Sequence, residues 1–385
     1  MLERFIAQSG KVSDARLEKA CTAVKETDPD TILFTSGTTS RPRPVLTTHF
    51  NRVNTMYSQM RALETQKTDV FCSVLPMFHC FSLTATVLSA LMGGACLVFP
   101  KDRHGHTILR TIDKERCTVL TAVPTLFSVL LERKREADYD LSSLRTGMIG
   151  GSTYPVAFFE KIERELGMTL LSSLGQTEAT AGITSASLSD PLSVRSRTIG
   201  TFFPGTEGSI RSMETGEALA AGKTGEICAR GYNVMKGYWR LKKATSEAVD
   251  AEGWLHTGDL GKMDEAGRVY YVGRKKEIII RGGENIAPAE VEEAIMEIGG
   301  VSGVRVVGVP DPHYIEEACA LVVAERDVTE EEIRAHLSGK FAHFKVPRYI
   351  VFPDQLPLTQ TGKTDFRKAK ELAVKLCGIG EEDQT

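Results

Sequence analysis

The sequence contains no long apolar run, and this absence excludes several classes of protein. Nowhere in its 385 residues does an apolar stretch approach the ~20 residues that a membrane-spanning helix requires. Its start lacks the charged and apolar segments of a signal peptide. Its net charge is −3, and its basic residues are scattered apart from Arg274-Lys275-Lys276. We therefore expect no membrane span and no nucleic-acid partner.

Cysteine pairs are also missing. The eight cysteines are dispersed, with no C-x-x-C pair and no histidine and cysteine cluster at zinc-site spacing. This usage predicts reduced thiols and a cytoplasmic location. The apolar share of 42% and the charged share of 25% are ordinary for a globular protein, and the length allows two or three domains.

The segment Thr35–Arg43 is a candidate phosphate-binding loop. It follows the apolar run of residues 31–34, which predicts a buried strand, and it is rich in hydroxyl side chains around Gly37. Hydroxyl groups and successive backbone N–H groups can enclose an anion, and glycine permits a close approach. The GxxxxGK[ST] pattern of a P-loop is absent. The residues alone fit an exposed polar turn equally well.

Alternating strand and helix patterns follow this loop. Strands are predicted at about 70–75, 95–100, 119–123, 146–150 and 169–173, and helices at about 47–63, 81–91, 125–134 and 155–166. This alternation predicts βαβ units in a parallel sheet, with ligands at the carboxyl ends of its strands. Four polar loops are expected at that edge: Thr35–Arg43, Pro76–His79, Gly150–Ser152 and Gly175–Glu178.

The remaining chain divides into two further parts. Closely spaced glycines predict a β-rich subdomain at about 195–273. We therefore predict a large domain over 1–273, a charged hinge over 274–277 and a small α+β domain over 278–385. In the small domain, strands are expected at 304–309, 318–324 and 349–352, with helices from Pro288, over 329–341 and up to about Cys377.

The ordered motifs resemble the adenylate-forming, or AMP-binding, superfamily, which includes acyl-CoA synthetases and luciferase. The segments that carry the resemblance are Thr35–Arg43, Pro76–His79, Gly150–Ser152, Gly175–Glu178, Gly225–Ile227 with Gly231-Tyr232 and Gly237–Trp239, Gly253–Asp259, Gly273–Glu277 with Gly282–Ile286, and Thr359–Lys363. The resemblance implies an α/β large domain of parallel βαβ layers with a β-rich subdomain, and a smaller mobile α+β C-terminal domain.

The resemblance also implies a reaction in two halves. A carboxylic acid, expected to be fatty or aromatic, attacks ATP to give acyl-AMP and pyrophosphate, and coenzyme A then displaces AMP. Mg²⁺ is the implied metal. Amino-acid activators usually carry a Phe-Asp pair in the pocket helix, whereas this sequence has Phe78-His79.

Site residues follow from the same resemblance. Lys363, Glu178, Thr177 and His79 match catalytic positions, and Glu178 also matches the metal ligand. ATP and AMP positions are matched by Thr35, Ser36, Gly37, Thr38, Thr39, Arg43, Gly151, Ser152, Leu174, Gly175, Gln176, Thr177, Asp259 and Arg274. Lys276 matches the hinge, and Gly282 and Gly283 match the face that contacts coenzyme A.

The sequence departs from the family pattern in places. Ser40, Arg43 and Pro44 replace two glycines and a lysine of the phosphate loop, and Leu174 replaces the usual aromatic residue beside adenine. Only 34 residues precede the loop, where relatives usually carry a further subdomain. We expect a natural short form, a fragment, or association with a partner or a second copy that covers this side.

These departures leave two alternatives open beside the acyl-CoA synthetase. One is an adenylation enzyme that loads a carrier-protein thiol. The other is a degenerate nucleotide-binding regulatory protein. Pyrophosphate exchange that depends on a carboxylic acid distinguishes the enzymes from the regulatory protein, and thioester formation with free coenzyme A distinguishes the two enzymes.

Overall fold

A seven-stranded, mostly parallel sheet forms the centre of the larger part of the chain. The computed structural model describes Glu3 and residues 6–35, 42–150, 154–324, 327–359 and 363–379. In spatial order the strands of this sheet are Cys96–Val98, Val70–Cys72, Val119–Leu120, Thr146–Ile149, Thr169–Leu174, Thr184–Ser185 and Thr201–Phe202. The first five run parallel and the last two are antiparallel. The predicted βαβ alternation is confirmed.

Helices on the parallel sheet bury its hydrophobic core. Helices Gly105–Glu115, Pro124–Lys134 and Val156–Leu166 contribute fully buried residues, including Ile108, Phe127 and Phe159. These side chains recur three or four residues apart along each helix, which places them on the face that meets the sheet. The core fixes the ends of the strands, and the site-forming loops extend from those ends.

The ends of the Thr35–Arg43 loop lie in a separate sheet, contrary to the sequence-based expectation. Strand Pro29–Thr35 pairs antiparallel with Arg43–Thr48, and Gly237–Tyr238 completes this three-stranded sheet. Thr35 pairs directly with Arg43, so the loop connects a hairpin and does not follow a strand of the parallel sheet. The second strand was missed because its apolar run is only Val45-Leu46, between prolines and threonines.

Two further sheets lie in the described part of the chain. The β-rich subdomain is a four-stranded antiparallel sheet of Thr206–Arg211, Gly225–Gly231, Leu255–Met263 and Val269–Arg274. The C-terminal sheet has five strands: Glu284–Ile286, Ile279–Arg281, Ile315–Ala324, Val301–Asp311 and Tyr349–Val351, the last of which pairs parallel with Ile315–Ala324. The α+β character predicted for the C-terminal part is confirmed.

The other helices refine the sequence-based boundaries. They are Asp14–Ala23, His49–Ala62, Ser89–Gly93, Leu192–Arg195, Lys242–Ala248, Pro288–Met296, Glu330–Ser338 and Phe366–Leu376, with 3-10 turns at Ser9–Lys11, Thr177–Ala179, Lys275–Glu277 and His343–Lys345. Helix His49–Ala62 begins at a capping box, in which Thr48 and Asn51 exchange hydrogen bonds. The predicted helix 81–91 is a π-helix over Phe81–Leu88 that continues as Ser89–Gly93. Within the described ranges, no helix is both long and apolar enough to cross a membrane.

Candidate active site

A cleft of about 2630 Å³ lies between loops of the parallel sheet, the β-rich subdomain and the C-terminal part. Its lining includes the sequence-predicted site residues Thr35, Arg43, His79, Leu174, Gly175, Gln176, Thr177, Glu178, Asp259, Arg274, Lys276 and Lys363. Six other predicted positions lie outside the described residues: Ser36, Gly37, Thr38, Thr39, Gly151 and Ser152. Residues that are far apart in the sequence therefore face one cavity.

A β-bulge presents Asp259 to the cleft. The pairing of Gly225–Gly231 with Leu255–Met263 shifts register at this point. Gly258 adopts a positive φ of 71°, and its N–H donates to the Glu226 carboxylate at 3.0 Å. The Asp259 N–H donates to the Thr257 hydroxyl at 3.0 Å. Bulges re-aim side chains in this way near functional sites.

The Asp259 carboxylate is buried with unused acceptor capacity. Its residue is 1% exposed, and among the described residues neither carboxylate oxygen accepts a hydrogen bond of good geometry. Arg274 forms an ion pair with it, with Nε 3.0 Å from Oδ1. Burial raises the pKa of Asp259, against the opposing charge of Arg274. A buried acceptor without donors is costly, so this carboxylate suits a ligand that brings hydroxyl groups.

Lys363 enters the cleft from the C-terminal part. Its N–H donates to the Thr359 hydroxyl at 3.2 Å, and its carbonyl accepts from the Thr359 N–H at 2.7 Å. Asp365 then caps helix Phe366–Leu376 by accepting from the Lys368 N–H. Burial lowers the pKa of Lys363, and the Arg274 charge adds to that effect. The cleft thus contains a desolvated ammonium group close to Asp259 and Arg274.

His79 is held as a neutral imidazole next to this ammonium group. Burial, together with the charge of Lys363, lowers the pKa of His79 to about 4. Its Nδ1 accepts from the Phe81 N–H at 3.2 Å, so the neutral ring carries its proton on Nε2. Nearby, the Thr177 hydroxyl donates weakly to the Cys80 sulfur at 3.5 Å. The Pro76–His79 and Gly175–Glu178 loops therefore meet, as the sequence predicted.

Glu178 is positioned by a residue to which sequence reasoning gave no role. The Tyr238 hydroxyl donates to Glu178 Oε1 at 2.8 Å, and the guanidinium of Arg43 lies 5.3 Å from the centre of the Tyr238 ring. Burial and the Glu178 charge raise the pKa of Tyr238 to about 12. Tyr238 thereby links the strand that begins at Arg43 to Glu178. Tyr238 lies within the family motif Gly237–Trp239, but the sequence does not show that it contacts Glu178.

Internal packing explains the glycine at position 175. A Cβ added to Gly175 would lie 2.1 Å from the carbonyl oxygen of Ala181, so only glycine fits there without a backbone shift. The neighbouring Leu174 lines the cleft and also packs against core residues such as Ala179 and Ile183. Gln176 has a buried side-chain nitrogen that finds no acceptor among the described residues. This amide is a donor available to a ligand.

The predicted hinge residue lies in the cleft, whereas the two glycines predicted to contact coenzyme A lie outside it. Lys276 lines the cleft within the 3-10 turn Lys275–Glu277, which connects the β-rich sheet to the C-terminal sheet. Gly282 and Gly283 form a two-residue hairpin with φ values of 57° and 94°, and they are not among the residues that line the cleft. The hairpin itself accounts for both glycines, since left-handed positions favour glycine.

Comparison with known proteins identifies the family. The AMP-binding enzyme model matches residues 3–239, and the AMP-binding enzyme C-terminal domain matches residues 290–363. The first match alone covers more than half of the chain. The chain belongs to the AMP-binding enzyme family. The predicted resemblance to adenylate-forming enzymes is thus confirmed.

Individual relatives of this AMP-binding enzyme extend the comparison. The chain is 39% identical over 371 residues to YngI of Bacillus subtilis, a match that covers 96% of this chain and 68% of YngI. It is 36% identical over 380 residues to the mitochondrial medium-chain acyl-CoA ligase ACSF2 of Rattus norvegicus, with 96% and 62% covered. The crystal structure of ATP-bound MatB from Rhodopseudomonas palustris superposes with a TM-score of 0.84 at 30% identity, with 90% and 69% covered. The chain therefore spans 62–68% of the length of these two curated relatives.

Proposed function

We propose that this AMP-binding enzyme is an ATP-dependent acid–thiol ligase that converts a carboxylic acid to acyl-AMP and then to an acyl-CoA. The observation that carries the proposal is the convergence of Asp259, Glu178 and Lys363 on one cleft from three parts of the fold. The rat relative is named as a medium-chain acyl-CoA ligase, and the MatB structure holds ATP, which supports the same reaction.

Asp259 and Arg274 would hold the ribose of the nucleotide. Two vicinal hydroxyl groups can donate to the two carboxylate oxygens, which lack hydrogen-bond donors among the described residues. The charge of Arg274 opposes the rise that burial causes in the pKa of Asp259. Leu174 would pack on the base, while Gln176 and the Gly175 backbone would border it.

Thr35 to Thr39, with Arg43, would contact the phosphate chain, and Gly151 and Ser152 would contribute to the same nucleotide site. Thr177 would contact the α-phosphate. This assignment is supported by the positions of Thr35, Arg43 and Thr177, which line the same cleft as Asp259. Arg43 supplies a fixed positive charge beside Glu178 through its position on the Tyr238 ring.

Glu178 fits the Mg²⁺ that the family's chemistry implies. Tyr238 occupies Oε1, and Oε2 has no partner among the described residues. Mg²⁺ prefers such carboxylate oxygens and, when bound, would offset the phosphate charge. Tyr238 would orient the carboxylate, so its hydroxyl acts through Glu178 and does not touch the substrate.

Lys363 would stabilise the transition state of adenylation. A carboxylate that attacks a phosphate concentrates negative charge, and a desolvated ammonium group opposes it strongly. His79 would border the acyl group as a neutral donor through Nε2–H. The cleft lining includes the aromatic residues Phe81, Tyr154 and Phe158, which favours a fatty or aromatic acid.

For the second half-reaction we propose a rotation of the C-terminal part about Lys276, which would remove Lys363 and bring Gly282 and Gly283 to the cleft. Hinges absorb large dihedral changes at a few positions between rigid elements. A cytoplasmic location, a homodimer and a partner on the N-terminal side stay predictions.

Isotope exchange between pyrophosphate and ATP, measured with a panel of fatty and aromatic acids, tests the adenylation step. Exchange that requires a carboxylic acid and Mg²⁺ is expected, followed by thioester formation with coenzyme A. No exchange with any acid of the panel would refute the ligase. Thioester formation with a carrier protein but not with free coenzyme A would reassign the acceptor.

Lys363→Ala is the matching variant. It should lose exchange by two orders of magnitude or more while it still converts a supplied acyl-adenylate to the thioester, because Lys363 acts only in the first half. Lys375→Ala is the control, since Lys375 is exposed on the following helix and outside the cleft. Equal loss of both half-reactions in Lys363→Ala would contradict the role given to Lys363.

A further inference from the structure

Three side chains that can bind a metal ion meet on the β-rich sheet, and each lies at least three positions from Asp259 in the sequence. Glu226 and Cys228 are two residues apart on strand Gly225–Gly231, so their side chains share a face. His256 lies directly opposite Cys228 on the neighbouring strand. The sequence showed no zinc spacing because these ligands come from strands separated by about 28 positions.

The two distances from His256 Nδ1 to the other ligand atoms are close to those of a tetrahedral site. His256 Nδ1 lies 3.2 Å from Glu226 Oε2 and 3.6 Å from Cys228 Sγ, and all three ligand atoms lie within 4.8 Å of one another. Zinc bonds of about 2.0–2.3 Å at tetrahedral angles separate ligand atoms by roughly 3.3–3.6 Å. The position of His256 relative to both other ligands therefore already fits that geometry.

Neighbouring groups orient these ligands as they do around known metal sites. Asp250 Oδ2 lies 3.5 Å from His256 Nε2, so the carboxylate can accept that proton and leave Nδ1 as the electron-pair donor. Glu226 Oε1 accepts from the Gly258 N–H at 3.0 Å, which fixes the carboxylate and leaves Oε2 for a metal. This arrangement of carboxylate, histidine and metal is a common one.

We propose that Glu226, Cys228 and His256 form a site for a thiophilic divalent cation such as Zn²⁺, with a fourth position open to solvent. Glu226 and His256 line the cleft, so an ion can enter from it. Lys275 Nζ lies 3.6 Å from Glu226 Oε2 and must move aside. Its side chain is 46% exposed, so water can solvate the displaced ammonium group. The site does not depend on the proposed ligase reaction.

Titration of the full chain with Co²⁺ tests the site by absorption spectroscopy. We expect saturation at one ion per chain, a thiolate-to-cobalt charge-transfer band in the near ultraviolet, and loss of that band when Zn²⁺ is added. Cys228→Ala should abolish the band. Cys96→Ala is the control that should retain it, because Cys96 is an exposed cysteine outside the cleft.

Asp250→Asn provides a variant that is expected to fold. Asn keeps the Oδ1 acceptor for the Glu252 and Trp254 N–H groups and removes only the acceptor near His256. Zn²⁺ affinity should fall about 10- to 100-fold with the cobalt band retained. Absence of a charge-transfer band in the unmodified chain, or an unchanged band in a folded Cys228→Ala variant, would overturn the proposal. Unchanged Zn²⁺ affinity in Asp250→Asn would remove Asp250 from the site.

Discussion

Replacing Asp259 with asparagine should weaken nucleotide binding without lowering the melting temperature. The carboxylate is buried and accepts no well-formed hydrogen bond among the described residues, so the folded protein gains little from its charge. Arg274 loses its ion-pair partner, but its side chain is 47% exposed and water can solvate the guanidinium. We therefore expect the melting temperature of Asp259→Asn to stay at or above that of the unmodified protein.

Nucleotide binding should weaken instead. A hydrogen bond to a charged group contributes about 1.5–3 kcal/mol. Asparagine keeps one acceptor and replaces the other with a donor, so one such bond to the ribose is lost. This loss corresponds to roughly a 10- to 150-fold weaker affinity for ATP. Glu265→Gln is a matched control, because it makes the same change at an exposed turn of the same sheet outside the cleft.

The assay compares ATP with 2′-deoxy-ATP and with 3′-deoxy-ATP by equilibrium titration for both proteins. The unmodified protein should prefer ATP over each of them by about the factor given above, and Asp259→Asn should lose most of its preference for one of the two hydroxyls, because one acceptor oxygen is replaced by a donor. Weaker binding of all three nucleotides with both preferences unchanged would refute direct contact between Asp259 and the ribose. A large fall in melting temperature would refute the stability argument.

Three further changes test other contacts. Tyr238→Phe keeps the ring near Arg43 but removes the hydrogen bond to Glu178. Pyrophosphate exchange should therefore fall roughly tenfold or more and require a higher Mg²⁺ concentration. Tyr57→Phe, on an exposed helix face, is the control and should leave the exchange rate unchanged. The unfolded His79 ring takes up a proton near pH 6.5, whereas the buried ring does so only near pH 4. The free energy of unfolding should therefore fall by about 3 kcal/mol as the pH is lowered from 6.5 to 4, measured by urea titrations, and His79→Gln should lack this dependence on pH. Lys276→Pro fixes φ at the proposed hinge and lies in the first turn of a 3-10 segment, where proline is tolerated, so it should preserve exchange and slow thioester formation; equal rates would argue against a hinge here.

The sequence predicted the parallel sheet and the meeting of loops at its edge, because hydrophobic periodicity and the glycine and polar residues that end each segment are local signals. It could not predict the sheet to which Thr35 and Arg43 belong, since strand Arg43–Thr48 has only Val45-Leu46 as an apolar run and the third strand, Gly237–Tyr238, is almost two hundred residues away. The roles of Tyr238 and of the Glu226, Cys228 and His256 group were missed for the same reason. Pairing between distant strands places those side chains together, and no spacing in the sequence records that pairing.

The positions of two C-terminal features bear on the proposed rotation. Lys363 lies in the cleft, where its charge acts on His79, while the Gly282-Gly283 hairpin does not line the cleft. Both belong to the part of the chain built on the C-terminal sheet. If that part moves as a unit, an arrangement that brings the hairpin to the cleft must change the position of Lys363. Under the proposed roles, the arrangement described here is the one suited to adenylation, and a role for the hairpin in thioester formation would require the second arrangement.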